Sequence, residues 1–133
     1  MVSGRLVGRC SDHSGNSCRG VHAKMREADE QKAVADFLDY LGVLWCHVPN
    51  EGKRSYTTAN NLRAQGLKRG VPDIIIFEPR KGYHGLAIEM KVGDNKPTAE
   101  QKHWLRSLTE RGYMAGVCYS AESAIRVIRG YIK

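Results

Sequence analysis

An α/β sandwich, with a central mixed β-sheet flanked by helices, is the fold class this sequence predicts, and three observations predict it. Segments whose apolar residues recur at helical spacing alternate with short runs rich in β-branched residues. Their order is helix, strand, basic insert, strand, strand, helix, strand, helix, so two central strands can form a hairpin and the last is reached through a helix. Finally, 133 residues, 41% hydrophobic and 26% charged, suffice for one packed core and leave little for a second.

Residues 1–24 are rich in Gly, Ser, Arg and Cys without apolar periodicity, and are expected to form a flexible basic N-terminal extension before a folded unit at 25–133. Met25 is an alternative start. Cys10, His13, Cys18 and His22 have a spacing loosely like that of a compact zinc site. No aromatic residue backs such a knuckle, so an incidental basic tail is the preferred reading.

From Arg26 to Leu41, Ala33, Val34, Phe37, Leu38 and Leu41 recur at helical intervals, and Glu27, Asp29 and Glu30 sit in the first turn, where the helix dipole favours them. Gly42 ends that helix. Val43 to Val48 reads as a strand that stops at Pro49. Asn50 to Gly70 is polar and basic, with a short helix around Thr58 to Gln65, and is too long for an idle connection. Pro72 to Phe77 fits a strand buried on both faces. After a turn at Pro79 to Gly85, Leu86 to Val92 alternates, with Leu86, Ile88, Met90 and Val92 on one face and Ala87, Glu89 and Lys91 on the other. Thr98 caps a helix to Arg111 whose buried stripe is Trp104, Leu105 and Leu108. Met114 to Tyr119 is the last strand, and Ala121 to Tyr131 a final helix carrying Ala124, Ile125, Val127 and Ile128.

A formal net charge of +7 and a pI near 9.4 attract polyanions, nucleic acid first among them. No apolar run approaches the roughly 20 residues a bilayer span needs, and no secretion signal is legible, so a cytoplasmic protein is expected. The cysteines do not form a secreted disulfide pattern; Cys46 and Cys118 lie in apolar stretches and are expected to be buried free thiols.

The chemistry concentrates on one strand. Glu89 and Lys91 share a face among apolar neighbours, which is costly if buried unless the charges are paired or bind a metal. A structural salt bridge or a solvated face would explain them alone. Asp73, directly after Gly70-Val71-Pro72 at the start of the preceding strand, changes that, because a hairpin brings its carboxylate beside Glu89. Paired carboxylates suit a hard divalent cation such as Mg²⁺, with Mn²⁺ substituting. An adjacent ammonium can orient a water or stabilise charge on a phosphate.

Gly70-Val71-Pro72-Asp73 followed by Glu89-Met90-Lys91 resembles the PD-(D/E)XK nuclease signature. The stretch from Glu27 to Lys133 more narrowly resembles the VRR-NUC domain, a nuclease module of phages and bacteria and the catalytic part of a eukaryotic DNA-repair nuclease. Glu27 and Gln31, Pro49-Asn50, Gly66 to Asp73, Tyr83 to Lys91, Thr98 to Gln101 with Trp104, and Gly112-Tyr113 carry the resemblance. It implies a restriction-endonuclease-like sandwich and a metal site made by Asp73, Glu89 and the backbone carbonyl of Met90, with Lys91 as the catalytic lysine. A first-helix glutamate completes the site, Glu27 being preferred to Glu30. Gln101 matches a polar position near the site, where it would touch the lysine or the scissile phosphate.

Asn50, Lys53, Arg54, Arg63, Lys68 and Arg69 then read as a groove holding the DNA backbone rather than a solvated loop, since the insert leads straight into Asp73. Tyr56 can stack on an unpaired base. His47, His84 and His103 are assigned to packing or surface. The expected activity is that of an Mg²⁺-dependent endodeoxyribonuclease, structure-selective on branched DNA such as a four-way junction. It is expected to act as a homodimer, with no membrane or small-molecule cofactor, in a bacterial or phage-infected cell. The alternatives are a phage nickase or homing-type endonuclease, and a non-catalytic nucleic-acid-binding module that keeps the fold.

Overall fold

The computed structural model describes residues 27–49 and 55–133. The N-terminal extension with Cys10, His13, Cys18 and His22, the boundary near Met25, and Asn50, Lys53 and Arg54 of the insert lie outside the described residues.

Helix α1 (Glu27–Leu41) carries Glu27, Asp29 and Glu30 in its first turn, where the orphan backbone N–H groups favour negative charge. Gly42, at φ +68°, closes it, and its N–H bonds back to the Leu38 and Asp39 carbonyls. Strand β1 (Trp45–His47) follows at once, tied to the helix by a 2.9 Å hydrogen bond from the Trp45 indole to Asp39. In the insert, Ser55 caps α2 (Tyr56–Ala64) by accepting from the Thr58 N–H at 3.2 Å. Strands β2 (Ile74–Ile76) and β3 (Leu86–Met90) come next, then α3 (Ala99–Glu110), β4 (Met114–Cys118) and α4 (Ala121–Ile132).

The four strands form one mixed sheet in the order β1-β2-β3-β4. The first three are antiparallel neighbours, and β4 lies parallel to β3 after crossing over through α3. Parallel pairing cannot be made by a tight turn, which is why a helix stands between these two strands and not between β2 and β3.

On one face of the sheet, Ile74, Ile76, Leu86, Ile88 and Met90 pack with Val34 and Leu38 of α1 and with Ala124, Ile128 and Tyr131 of α4. Each such aliphatic side chain, fully withdrawn from water, stabilises the fold by about 1.5–3 kcal/mol. Tyr131 satisfies its hydroxyl by donating to the Glu78 carbonyl at 2.5 Å, and burial pushes its pKa up. Helix α3 packs against β3 and β4 and covers the opposite face.

The structure departs from expectation in burial. Every residue of β3 is buried, since helices cover both faces. Trp104, Leu105 and Leu108 are only half-buried and the buried residue of α3 is Gln101, because the sheet face beneath that helix carries the small Ala87 and the polar Glu89 rather than a broad apolar floor. Val127 is exposed on α4, where Ala121 and Tyr131 complete the buried stripe instead. Cys118 is a buried free thiol with a pKa raised by burial, but Cys46 is exposed: it lies on the edge strand, on the face that α1 leaves uncovered.

Candidate active site

The register of the β2–β3 hairpin assembles the site. Ile74 pairs with Ile88, so extending the antiparallel ladder by one residue sets Asp73 opposite Glu89. Directly opposed residues share a face, and alternation along β3 puts Lys91 on it too, away from the apolar core.

Asp73 is 6% exposed and held at both ends. Its carbonyl accepts from the Val48 N–H at 2.8 Å, which joins it to the end of β1. Its carboxylate Oδ2 accepts from the Met90 N–H at 2.8 Å, across the gap to β3. His47 Nδ1 lies 2.9 Å from the same Asp73 carbonyl and also contacts the side-chain amide of Gln31, so α1, β1 and the start of β2 are stitched together there.

Glu89 is 1% exposed, and two groups reach its Oε1: the Gln101 side-chain amide donates to it at 2.7 Å, and the Lys91 ammonium lies 3.3 Å away. Lys91 is itself buried. The salt bridge that charge patterning allowed therefore exists, but a buried ion pair is weak evidence of a stabilising role, since desolvation offsets much of its attraction. It also leaves the neighbouring Asp73 carboxylate to be explained. Asp73, Glu89 and Lys91 together carry one more negative than positive charge when ionised.

Gln101 reaches Glu89 from the first turn of α3. Thr98 caps that helix: its Oγ1 accepts from the Gln101 N–H at 3.2 Å, while Gln101 Oε1 accepts from the Thr98 N–H at 2.8 Å. The loop before Asp73 leans on the same turn. Gly70 adopts φ +87°, and a Cβ there would stand 2.5 Å from the Glu100 carbonyl carbon and 2.7 Å from the Gln101 nitrogen, so only glycine permits this approach.

Asp73, Glu89, Lys91 and Gln101 are thus brought together, with Gln101 donating to the same glutamate oxygen that Lys91 approaches. Glu27 is half-buried at the start of α1. Glu30 is committed elsewhere, accepting from the Ala121 N–H at the start of α4. Among the described residues no group of three or more His, Cys, Asp and Glu side chains is assembled for a metal. Arg63, Lys68 and Arg69 are exposed, the last two directly before Gly70. Tyr56 is 81% exposed. His84 packs edge-on against Tyr113, and His103 is exposed.

The donor chemistry fits a small hard cation. Two buried carboxylates from neighbouring strands are what Mg²⁺ ordinarily takes from a protein, the rest of its octahedron coming from water and substrate phosphate. Soft or histidine-rich ligation is absent at these positions.

Two of these relationships were beyond sequence reasoning. The sequence assigns His47 to packing or surface, and its contact with the Asp73 carbonyl leaves no local trace. Thr98 to Gln101 does read as a capping pattern, but nothing local says where the glutamine's other end points.

A family model of the VRR-NUC domain matches residues 25–122. Among solved structures, one of a VRR_NUC domain protein is 31% identical, with a TM-score of 0.68, over 81% of this chain and 88% of that one. A second, of a VRR_NUC domain, is 24% identical with a TM-score of 0.55 over 79% of this chain and 96% of its own, and shares the fold. No curated protein matches the chain.

Proposed function

We propose, from the premise that the chain belongs to the VRR-NUC domain family, a nuclease-type family, that it is a metal-dependent endonuclease hydrolysing phosphodiester bonds in branched DNA. The observation that carries this reading is the burial of Asp73 opposite Glu89 with the Lys91 ammonium 3.3 Å from the glutamate.

Asp73 and Glu89, with the backbone carbonyl of Met90, are the groups that would hold Mg²⁺ or Mn²⁺. Such an ion, when bound, supplies Lewis acidity toward a phosphodiester and makes water a better nucleophile near neutral pH. Lys91, held rigid by burial and by Glu89, places a positive charge where negative charge grows on the phosphate, or orients the attacking water. Gln101 keeps the Glu89 carboxylate in place. Glu27, at the start of the first helix, would complete a second metal position or hold a water. Lys68 and Arg69, exposed just before Gly70 on the segment that leads into Asp73, and Arg63 of α2 would hold the DNA backbone without reading its sequence.

A single small domain has little room for elements that read a major groove, which favours recognition of DNA shape. Symmetric cutting of a four-way junction needs two active sites, hence a two-fold homodimer. Among the described residues no helix is long and apolar enough to cross a membrane.

The test is cleavage of a labelled four-way junction and of plain duplex in Mg²⁺ or Mn²⁺, by wild type and by Lys91→Ala. Junction cleavage by wild type alone is the expected result. Binding by both proteins with cleavage by neither identifies a binding module, and equal rates on the two substrates remove the selectivity while keeping the nuclease.

A further inference from the structure

We infer that the capping box of α3 is a positioning device for the metal site, with Thr98 and Gln101 setting the rotation of the Glu89 carboxylate. The inference rests on reading Asp73 and Glu89 as metal ligands.

The two ends of the Gln101 amide have no freedom of assignment. A backbone N–H can only donate, so the oxygen must face Thr98; a carboxylate can only accept, so the nitrogen must face Glu89. Both contacts are present, at 2.8 and 2.7 Å. Gln101 is 9% exposed and Glu89 1%, so the bond between them is made where water does not compete. An uncapped glutamine rotates about three side-chain bonds and flips its amide. The reciprocal Thr98 contacts remove that freedom before any metal arrives, and the amide presents a fixed N–H to Oε1.

Lys91 meets the same oxygen at 3.3 Å, so the two donors together fix the plane of the carboxylate. Gly70 completes the device. Its backbone lies against Glu100 and Gln101, so the turn that orients Glu89 also seats the loop that delivers Asp73. One helical turn thereby sets the relative position of the two acids, and partners of this kind typically change metal affinity or activity by about 10- to 100-fold when lost.

Gln101→Glu separates this role from mere capping. Glutamate serves equally well at the third position of a capping box, so the helix keeps its cap, but the side chain now turns an oxygen toward Glu89 in place of an N–H. The expected result is a protein whose helix keeps its cap but which melts below wild type, because two carboxylates now face each other away from water, with kcat in the folded fraction lowered about 10- to 100-fold and the KM for DNA unchanged. Thr98→Val, which removes the hydroxyl at constant volume, lowers kcat in the same sense. Gln101→Met removes the donor without adding charge, and calorimetric titration of the DNA-free protein with Mn²⁺ should show its affinity weakened about tenfold or more. Wild-type kcat in Gln101→Glu, or wild-type Mn²⁺ affinity in Gln101→Met, overturns the positioning role. If wild type binds Mn²⁺ and cleaves nothing, the nuclease reading fails while the Gln101→Met titration still decides this one. If wild type binds no Mn²⁺, both fall.

Discussion

The carboxylate of Asp73 accepts a 2.8 Å hydrogen bond from the backbone N–H of Met90, the residue between Glu89 and Lys91. That one bond ties the carboxylate of Asp73 to the backbone of the strand carrying both other charged groups. It also separates two roles that a mutation can divide, since an amide oxygen can accept from Met90 as a carboxylate does.

Asp73→Asn should therefore keep the fold and lose the chemistry. The hydrogen bond to Met90 persists through the amide oxygen, while the charge that would hold a cation is gone. Thermal unfolding close to wild type, together with junction cleavage reduced by at least about 100-fold, is the expected pair of results.

Lys91→Ala leaves the buried Glu89 carboxylate without its ammonium, and removing one member of a buried pair costs about 3–5 kcal/mol. Urea unfolding without divalent ions should show a loss of that order. Adding Mg²⁺ should raise the stability of wild type by mass action and should not raise that of Asp73→Asn to the same degree.

Gly70→Ala should be destabilising by about 1–3 kcal/mol, because the new methyl group meets the backbone of α3 and the chain must also leave φ +87°. Its cleavage rate should fall further than stability alone explains, since the displaced turn carries Gln101. Leu38→Ala is the control: it opens a cavity in the core beyond the other face of the sheet and should cost about 2–5 kcal/mol with kcat unchanged in the folded fraction.

Lys68→Ala and Arg69→Ala should weaken binding to junction and duplex alike. Each phosphate contact removed lowers the slope of log affinity against log salt by about one unit, measurable by fluorescence anisotropy over a salt series. An unchanged slope would remove these residues from the DNA path.

The segment between β2 and β3 shows how far local reading goes. Its turn residues and β-branched runs implied a hairpin, and pairing Ile74 with Ile88 in that hairpin is what sets Asp73 opposite Glu89. Burial was less legible. Alternation along Leu86 to Met90 correctly divides two faces, but periodicity cannot tell whether a helix will cover the second one, and Trp104 and Cys46 end up more exposed than their apolar neighbourhoods implied.

What the sequence by itself determined is the α/β class, the order of elements and the set Asp73, Glu89 and Lys91, because side-chain period, turn chemistry and strand spacing are local properties written in neighbouring residues. Tertiary structure alone decided that Gln101 meets Glu89, that Gly70 touches the first turn of α3, that Glu30 accepts from the start of α4, and that His47 reaches the Asp73 carbonyl. Those contacts join residues far apart in the chain, and they depend on where each helix settles on the sheet, which is set by the packing of the whole core.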